Sequence, residues 1–192
     1  MFLLLETLWR KIEFWDRWAF IQVNHNLNNP FFDGLMPLVR NSYFWIPLYF
    51  FLVLFATINF KNRGWWWLLF FICTVSVTDL ISSRLIKESI ERLRPCMDPE
   101  FSSHVRLLLD RCSGGYSFTS SHAANHFGLA AFFFVTTKFL LKQWAWLAFL
   151  WAAIICFAQV YVGVHYPLDV IGGAVVGLSI GLVAGHYFNK RY

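Results

Sequence analysis

Apolar residues run along this chain in five stretches, approximately 43–60, 65–86, 121–140, 143–162 and 168–188. Each approaches the roughly 20 residues that a helix needs to cross the hydrocarbon of a bilayer. Residues 1–30 have a different pattern. Glu6, Arg10, Lys11, Glu13, Asp16 and Arg17 interrupt the apolar positions at helical spacing, and Trp9, Phe14, Trp15 and Trp18 are placed to meet lipid headgroups. That pattern predicts an amphipathic helix lying in the membrane interface. The expected fold is all-α: a polytopic membrane helix bundle of five transmembrane helices behind an N-terminal interfacial helix, in a single domain over residues 1–192. A sixth crossing within residues 8–40 is the alternative.

Composition agrees with the pattern. Of 192 residues, 58% are hydrophobic, 20% aromatic and only 14% charged, which leaves too little polar surface for a soluble domain of this length. Trp and Tyr collect at membrane interfaces, and Trp alone occurs 10 times. The net charge of +5 does not indicate nucleic acid, because the basic residues fall in loop clusters rather than on one basic face. The apolar run 2–5 stops at Glu6, too short for a cleavable signal peptide, so the first span is expected to direct insertion.

Lysine and arginine in short loops set orientation. Lys61 and Arg63, Lys138 and Lys142, and Lys190 and Arg191 fall on one side by crossing parity, which the rule makes cytoplasmic. The other side holds residues 87–120 and the turn 163–167. The first of these is also basic, through Lys87, Arg92, Arg94, Arg106 and Arg111, and a phosphate site would account for that charge.

Three polar clusters lie on that second side. Lys87 and Arg94 are seven residues apart, two turns along one helical face, with Pro95 expected to end the helix at Arg94. A basic snorkelling helix end is the plainer reading. Gly114 and Gly115, then Ser117, Thr119, Ser120, Ser121 and His122, lead into an apolar helix. Free N–H groups at a helix N-terminus favour an anion there, although Ser120 suits a simple N-cap equally well. His165 and Asp169, four apart behind Pro167, can meet across a first helical turn. The carboxylate would hold one imidazole nitrogen and leave the other lone pair free, as in a catalytic dyad; a structural His–Asp bond is the alternative. Together the clusters bring two histidines, a carboxylate and two cations to one side.

Other features take structural readings. Gly173, Gly177, Gly181 and Gly185 repeat every four residues as a helix-packing ridge. His122 and His126 lack the intervening glutamate of a zinc-protease motif, so no metal is expected. Asp79 is expected to pair with Arg84 or a neighbouring helix. Cys73 and Cys156 fall inside spans as packing residues. Cys96 and Cys112 fall on the oxidising side and are predicted to form a disulfide worth about 3 kcal/mol.

These residues resemble the type 2 phosphatidic acid phosphatase superfamily, whose pattern is Lys-x6-Arg-Pro, Pro-Ser-Gly-His and Ser-Arg-x5-His-x3-Asp. Lys87 to Pro95 matches the first motif in full. Thr119-Ser120-Ser121-His122 matches the second at Ser and His. Val160 to Asp169 matches the third from its x5 stretch onward. The resemblance covers residues 65–188 and is similar to short bacterial members that include undecaprenyl pyrophosphate phosphatases. It implies that His165 is a nucleophile forming a phosphohistidine, oriented by Asp169, with His122 as acid and then base. It also implies that Lys87, Arg94, Ser120 and N–H groups near Ser121 hold phosphate, without metal or cofactor.

The family's Ser-Arg pair is Ala158-Gln159 here. Gln159 can donate hydrogen bonds but carries no charge, so Arg92, Arg106 or Arg111 is expected to supply the missing cation. The implied substrate is a lipid phosphate, undecaprenyl pyrophosphate first, with phosphatidylglycerophosphate, phosphatidic acid and lipid A phosphate as alternatives. The implied location is a bacterial cytoplasmic membrane, with the site facing the periplasm. A non-catalytic lipid-phosphate binding or transport protein is the competing reading, motivated by Gln159.

Overall fold

The computed structural model describes residues 2–192, with side chains from Glu6 onward. Helices α1 (Phe2–Ile21) and α2 (Pro30–Val39) come first. Helices α3 (Ile46–Phe60) and α4 (Gly64–Leu80) follow, and α4 continues through wider π-helical turns at Ile81–Ile86 into the short α5 (Lys87–Ile90). After a long loop come α6 (Ser121–Leu141), α7 (Leu147–Tyr161) and α8 (Pro167–Arg191).

Among the described residues, three largely helical stretches are long and apolar enough to cross a membrane: Ser42–Met97, Ser121–Tyr161 and Pro167–Arg191. A straight 56-residue helix would run about 84 Å, far beyond the roughly 30 Å of hydrocarbon. The first two stretches therefore double back. Each reverses at a lysine, Lys61 and Lys142, where φ 50° and ψ −125° end the helix. Five apolar helices result, at the places the hydropathy pattern assigns.

Helix α6 is the hub, packed against α4, α7 and most extensively α8. The glycine ridge of α8 makes that approach possible. A Cβ at Gly177 would strike the Ala124 carbonyl and lie 2.8 Å from Gly128 N, and one at Gly181 would strike the Gly128 carbonyl. Backbones this close gain dispersion contacts that lipid cannot replace. On α1, Trp9, Phe14, Trp15 and Trp18 are exposed, while Asp16 and Phe20 are buried. Phe20 packs on Phe101 and Tyr166, ring centroids 5.5 and 5.7 Å away, so the inner face of α1 belongs to the protein.

The connectivity sorts the ends of the bundle. The starts of α6 and α8 meet the ends of α5 and α7, and the lysine reversals and the C-terminal Lys190 and Arg191 lie opposite. In the loop, the helix expected to run to Arg94 stops at Ile90. Glu91 takes a left-handed conformation (φ 52°, ψ 27°) and its N–H caps the Lys87 carbonyl. Pro95 then holds Arg94 extended at ψ 153°, because its ring crowds a helical predecessor. Lys87 and Arg94 thus do not share a helical face. A disulfide joins Cys96 and Cys112, with Cα atoms 6.0 Å apart. Cys73 is exposed on α4 and Cys156 is buried in α7. Asp79 accepts from Ser83 and, across to the neighbouring α6, from Asn125, at 3.2 Å each, so of its two expected partners the neighbouring helix is the one it meets.

Overpacking the α6–α8 contact should be costly. Gly177→Val is expected to lower stability by about 3 kcal/mol, read as a melting shift in detergent. Gly34→Ala, whose Cβ meets nothing within 4 Å, should be neutral or gain about 0.5 kcal/mol from lower chain entropy.

Candidate active site

Helix α8 begins with a turn that fixes two of the predicted residues. Gly163 closes α7 at φ +91°, a conformation only glycine takes without strain. Pro167 sits in the first turn of α8, and Asp169 caps that turn by accepting from the Tyr166 N–H at 2.8 Å. His165 and Asp169 are both buried. Their Nδ1–Oδ2 distance is 3.6 Å, too long for a direct hydrogen bond. Ser117 bridges them: its hydroxyl donates to Asp169 Oδ2 at 2.5 Å and lies 3.3 Å from His165 Nδ1. A hydroxyl whose proton goes to the carboxylate can accept from Nδ1–H, which assigns the lone pair to Nε2.

Arg94 meets that lone pair. Its Nη1 donates to His165 Nε2 at 3.0 Å and to the Val164 carbonyl at 3.1 Å. Nε and Nη2 donate to the Gly115 and Gly114 carbonyls, at 3.2 Å each. The carbonyls of the glycine loop therefore position the guanidinium. Ser120 is the N-cap of α6, accepting from Ala123 N at 3.4 Å, and its own N–H donates to the Asp169 carbonyl at 2.9 Å. The Ser121 hydroxyl turns to Ser83 at 2.8 Å. Lys87 is half-buried without a salt bridge, close enough for its charge to act on Arg94 and Asp169. The His122 ring stacks parallel to His126 at 6.2 Å, and His122 and His165 are near enough to interact electrostatically.

Two of the three cations proposed to replace the family arginine are engaged by carboxylates. Arg92 bridges Asp169 (2.7 Å) and Asp16 (2.5 Å), with its guanidinium 4.2 Å above the Tyr166 ring. Asp16 also accepts from Leu168 N at 2.8 Å. Arg106 pairs with Asp33 at 2.7 Å and donates to the Asn24 carbonyl at 3.0 Å. Both are held by carboxylates and so cannot serve as free anion binders; Arg111 is exposed on the rim of a neighbouring cleft. Instead Arg40, at the end of α2, donates from Nε to Gln159 Oε1 at 3.4 Å. Sequence reading missed Arg40, Asp16 and the bridging role of Ser117. Asp16 alone left a signal, as an acid placed between apolar residues of α1.

Burial pushes the His165 imidazole down to about 4 from its usual 6.5, with Arg94 and Lys87 acting in the same direction against Asp169. The imidazole is thus neutral and nucleophilic at pH 7. Because the folded value lies below the unfolded one, the unfolded chain takes the proton first as pH falls. The contribution is intact above pH 6.5 and drains between 6.5 and about 4, by up to about 3 kcal/mol at 1.36 kcal/mol per unit. His165→Asn should flatten that part of a stability–pH profile measured by thermal melts.

Comparison with known proteins agrees with the geometry. The model of the PAP2 superfamily matches residues 64–192. The lipid A 4'-phosphatase of Bacteroides thetaiotaomicron is 31% identical over 160 residues, 80% of this chain and 68% of that protein. That of Porphyromonas gingivalis is 27% identical over 181 residues, 92% and 72% of the two chains. The fold is similar to the crystal structure of a transmembrane PAP2-type phosphatidylglycerolphosphate phosphatase from Bacillus subtilis, at TM-score 0.68 and 22% identity over 95% of this chain and 88% of that one. The chain belongs to the PAP2 superfamily, as a membrane-embedded phosphatase.

Proposed function

We propose that this chain hydrolyses the phosphate ester of a lipid A-type headgroup through a phosphohistidine on His165. The observation that carries the mechanism is the lone pair of His165 Nε2, fixed by the Ser117–Asp169 relay and lying 3.0 Å from Arg94. A phosphoryl group arriving at Nε2 would exchange that Arg94 bond for bonds to its own oxygens. Nε2 attacks phosphorus, the N–P bond forms, and the bond to the lipid oxygen breaks. His122 gives that oxygen its proton. Water then attacks phosphorus while His122 takes its proton, the N–P bond breaks, and inorganic phosphate leaves. Lys87, Arg94 and the N–H groups opening α6 stabilise the charge on the transferring group.

An amphiphilic substrate fits the surroundings. An apolar cavity of about 500 Å³ lies among α3, α4, α6 and α7, lined by Leu52, Phe133, Leu147 and Trp151 among others. The Trp151 ring meets His126, one turn from His122, at 4.8 Å. On another side, a cleft of about 890 Å³ between α2 and the loop 108–114 carries Arg40, Asp110 and Arg111. Gly114 belongs both to this cleft and to the carbonyls that hold Arg94. Apolar space for a tail beside polar space for a headgroup supports a lipid phosphate. Similarity to the two lipid A 4'-phosphatases supports choosing a lipid A-type phosphate over the polyprenyl diphosphate expected from sequence alone. We further place the protein in a bacterial cytoplasmic membrane with the site facing the periplasm, following the loop charges.

The purified protein, with chelator present, should release phosphate from lipid A faster than from undecaprenyl pyrophosphate, phosphatidylglycerophosphate or phosphatidic acid. His165→Ala should abolish release, and Ser117→Ala should lower kcat about 10²-fold with KM little changed. Faster release from the polyprenyl diphosphate would reassign the substrate. Release that survives His165→Ala would end the histidine mechanism.

A further inference from the structure

The family motif places an arginine where this chain has Gln159, yet the pocket around Gln159 is not without charge. Gln159 is fully buried near the end of α7, and its Nε2 has no hydrogen-bond partner among the described residues. Its Oε1 accepts from Arg40 Nε at 3.4 Å, which assigns the amide orientation and leaves the two N–H groups of Nε2 as unpaired donors. A buried amide without a partner costs of order 1–3 kcal/mol, which an acceptor arriving at Nε2 would relieve.

Arg40 reaches this point through packing rather than sequence proximity. Met36 and Val39 of α2 sit in one apolar cluster with Ile155, Ala158, Tyr161 and Val162, and that contact sets the end of α2 beside Gln159. A helix C-terminus also favours a cation. Arg40 is half-buried, and neither of its Nη groups has a partner among the described residues. Arg17, Arg92 and Arg106 are all neutralised by carboxylates; Arg40 is not. Burial alone pulls its guanidinium below the usual value, with no acid offsetting it. Its charge acts on both His122 and Arg94, two residues the proposed mechanism uses.

We propose that Arg40 and the Nε2 of Gln159 together form the third phosphate-oxygen clamp of this site, the arginine having moved from α7 to the end of α2. The assignment rests on the phosphatase reading above and names the residues that complete it. Arg40 also lines the polar cleft, so the same guanidinium joins the headgroup space to the transferred phosphate. The region before residue 64, outside the family match, then contributes directly to phosphate binding.

The test measures orthovanadate binding and phosphate release from lipid A for Arg40→Ala, Arg40→Gln, Arg40→Lys and the double variant Arg40→Ala/Gln159→Arg, with melting temperatures alongside. Arg40→Ala and Arg40→Gln should lose about 10²-fold in kcat/KM and at least tenfold in orthovanadate affinity, without a matching fall in melting temperature. Arg40→Lys should keep part of both. The double variant, which returns the cation to α7, should recover to within about tenfold of the native protein. Should Arg40→Ala fail to fold, Arg40→Gln gives the same reading with a side chain of similar length. Native-like orthovanadate affinity and turnover in both neutral variants would overturn the clamp while leaving the phosphatase reading intact. Arg40-dependent orthovanadate binding by a protein that releases phosphate from no lipid would keep the clamp and remove the lipid phosphatase reading. A native protein that binds no orthovanadate would remove the clamp.

Discussion

A single buried carboxylate organises this site. Asp169 has no solvent exposure, and a charge so placed is tolerated only if its oxygens are paired. Three groups meet that demand: Arg92 on Oδ1, and Ser117 and the Tyr166 N–H on Oδ2, with His165 just beyond Ser117. Arg92 and Ser117 come from the loop between α5 and α6, and Tyr166 from the turn that opens α8. Satisfying Asp169 therefore draws residues 91–118 onto the start of α8, and Arg92 in turn ties Asp16 of α1 to the same point. The histidine whose lone pair is presented to substrate owes its tautomer to this arrangement.

The arginines divide by whether an acid has claimed them. Arg92 and Arg106 are spent on carboxylates and on the rings of Tyr166 and Tyr161; they hold α1, α2 and the loop to the bundle. Arg94 is held by carbonyls, which orient a guanidinium without neutralising it. Arg40 is held by an amide. An anion entering the site thus meets cations whose charge is still available, oriented before it arrives, which is the condition for strong electrostatic stabilisation.

Hydropathy made the five apolar helices legible, because membrane crossing imposes a length and a composition on each. That His165, Asp169 and Arg94 come together was legible from the motifs, the four-residue step from His165 to Asp169 being local backbone geometry. Where a residue's role depends on a distant partner, the sequence was silent. Arg92 looked like a spare cation because Asp16 lies 76 positions away, and Arg40 carried no motif because its partner Gln159 is 119 positions away. The expected helix through Arg94 failed for a local reason, the left-handed Glu91 ahead of Pro95, which charge spacing alone could not reveal. Ser117 was passed over because a direct His–Asp bond was assumed, and 3.6 Å is the measure of that error.

In the proposed mechanism His165 carries the phosphoryl group between lipid and water. Rapid acid-free quenching of the protein with lipid A labelled at its phosphate, followed by proteolysis and mass spectrometry, tests it most directly. A phosphorylated peptide containing His165, stable in base and labile in acid, should form and decay at rates consistent with turnover. Phosphate release with no such peptide, or with the label on another residue, would contradict it.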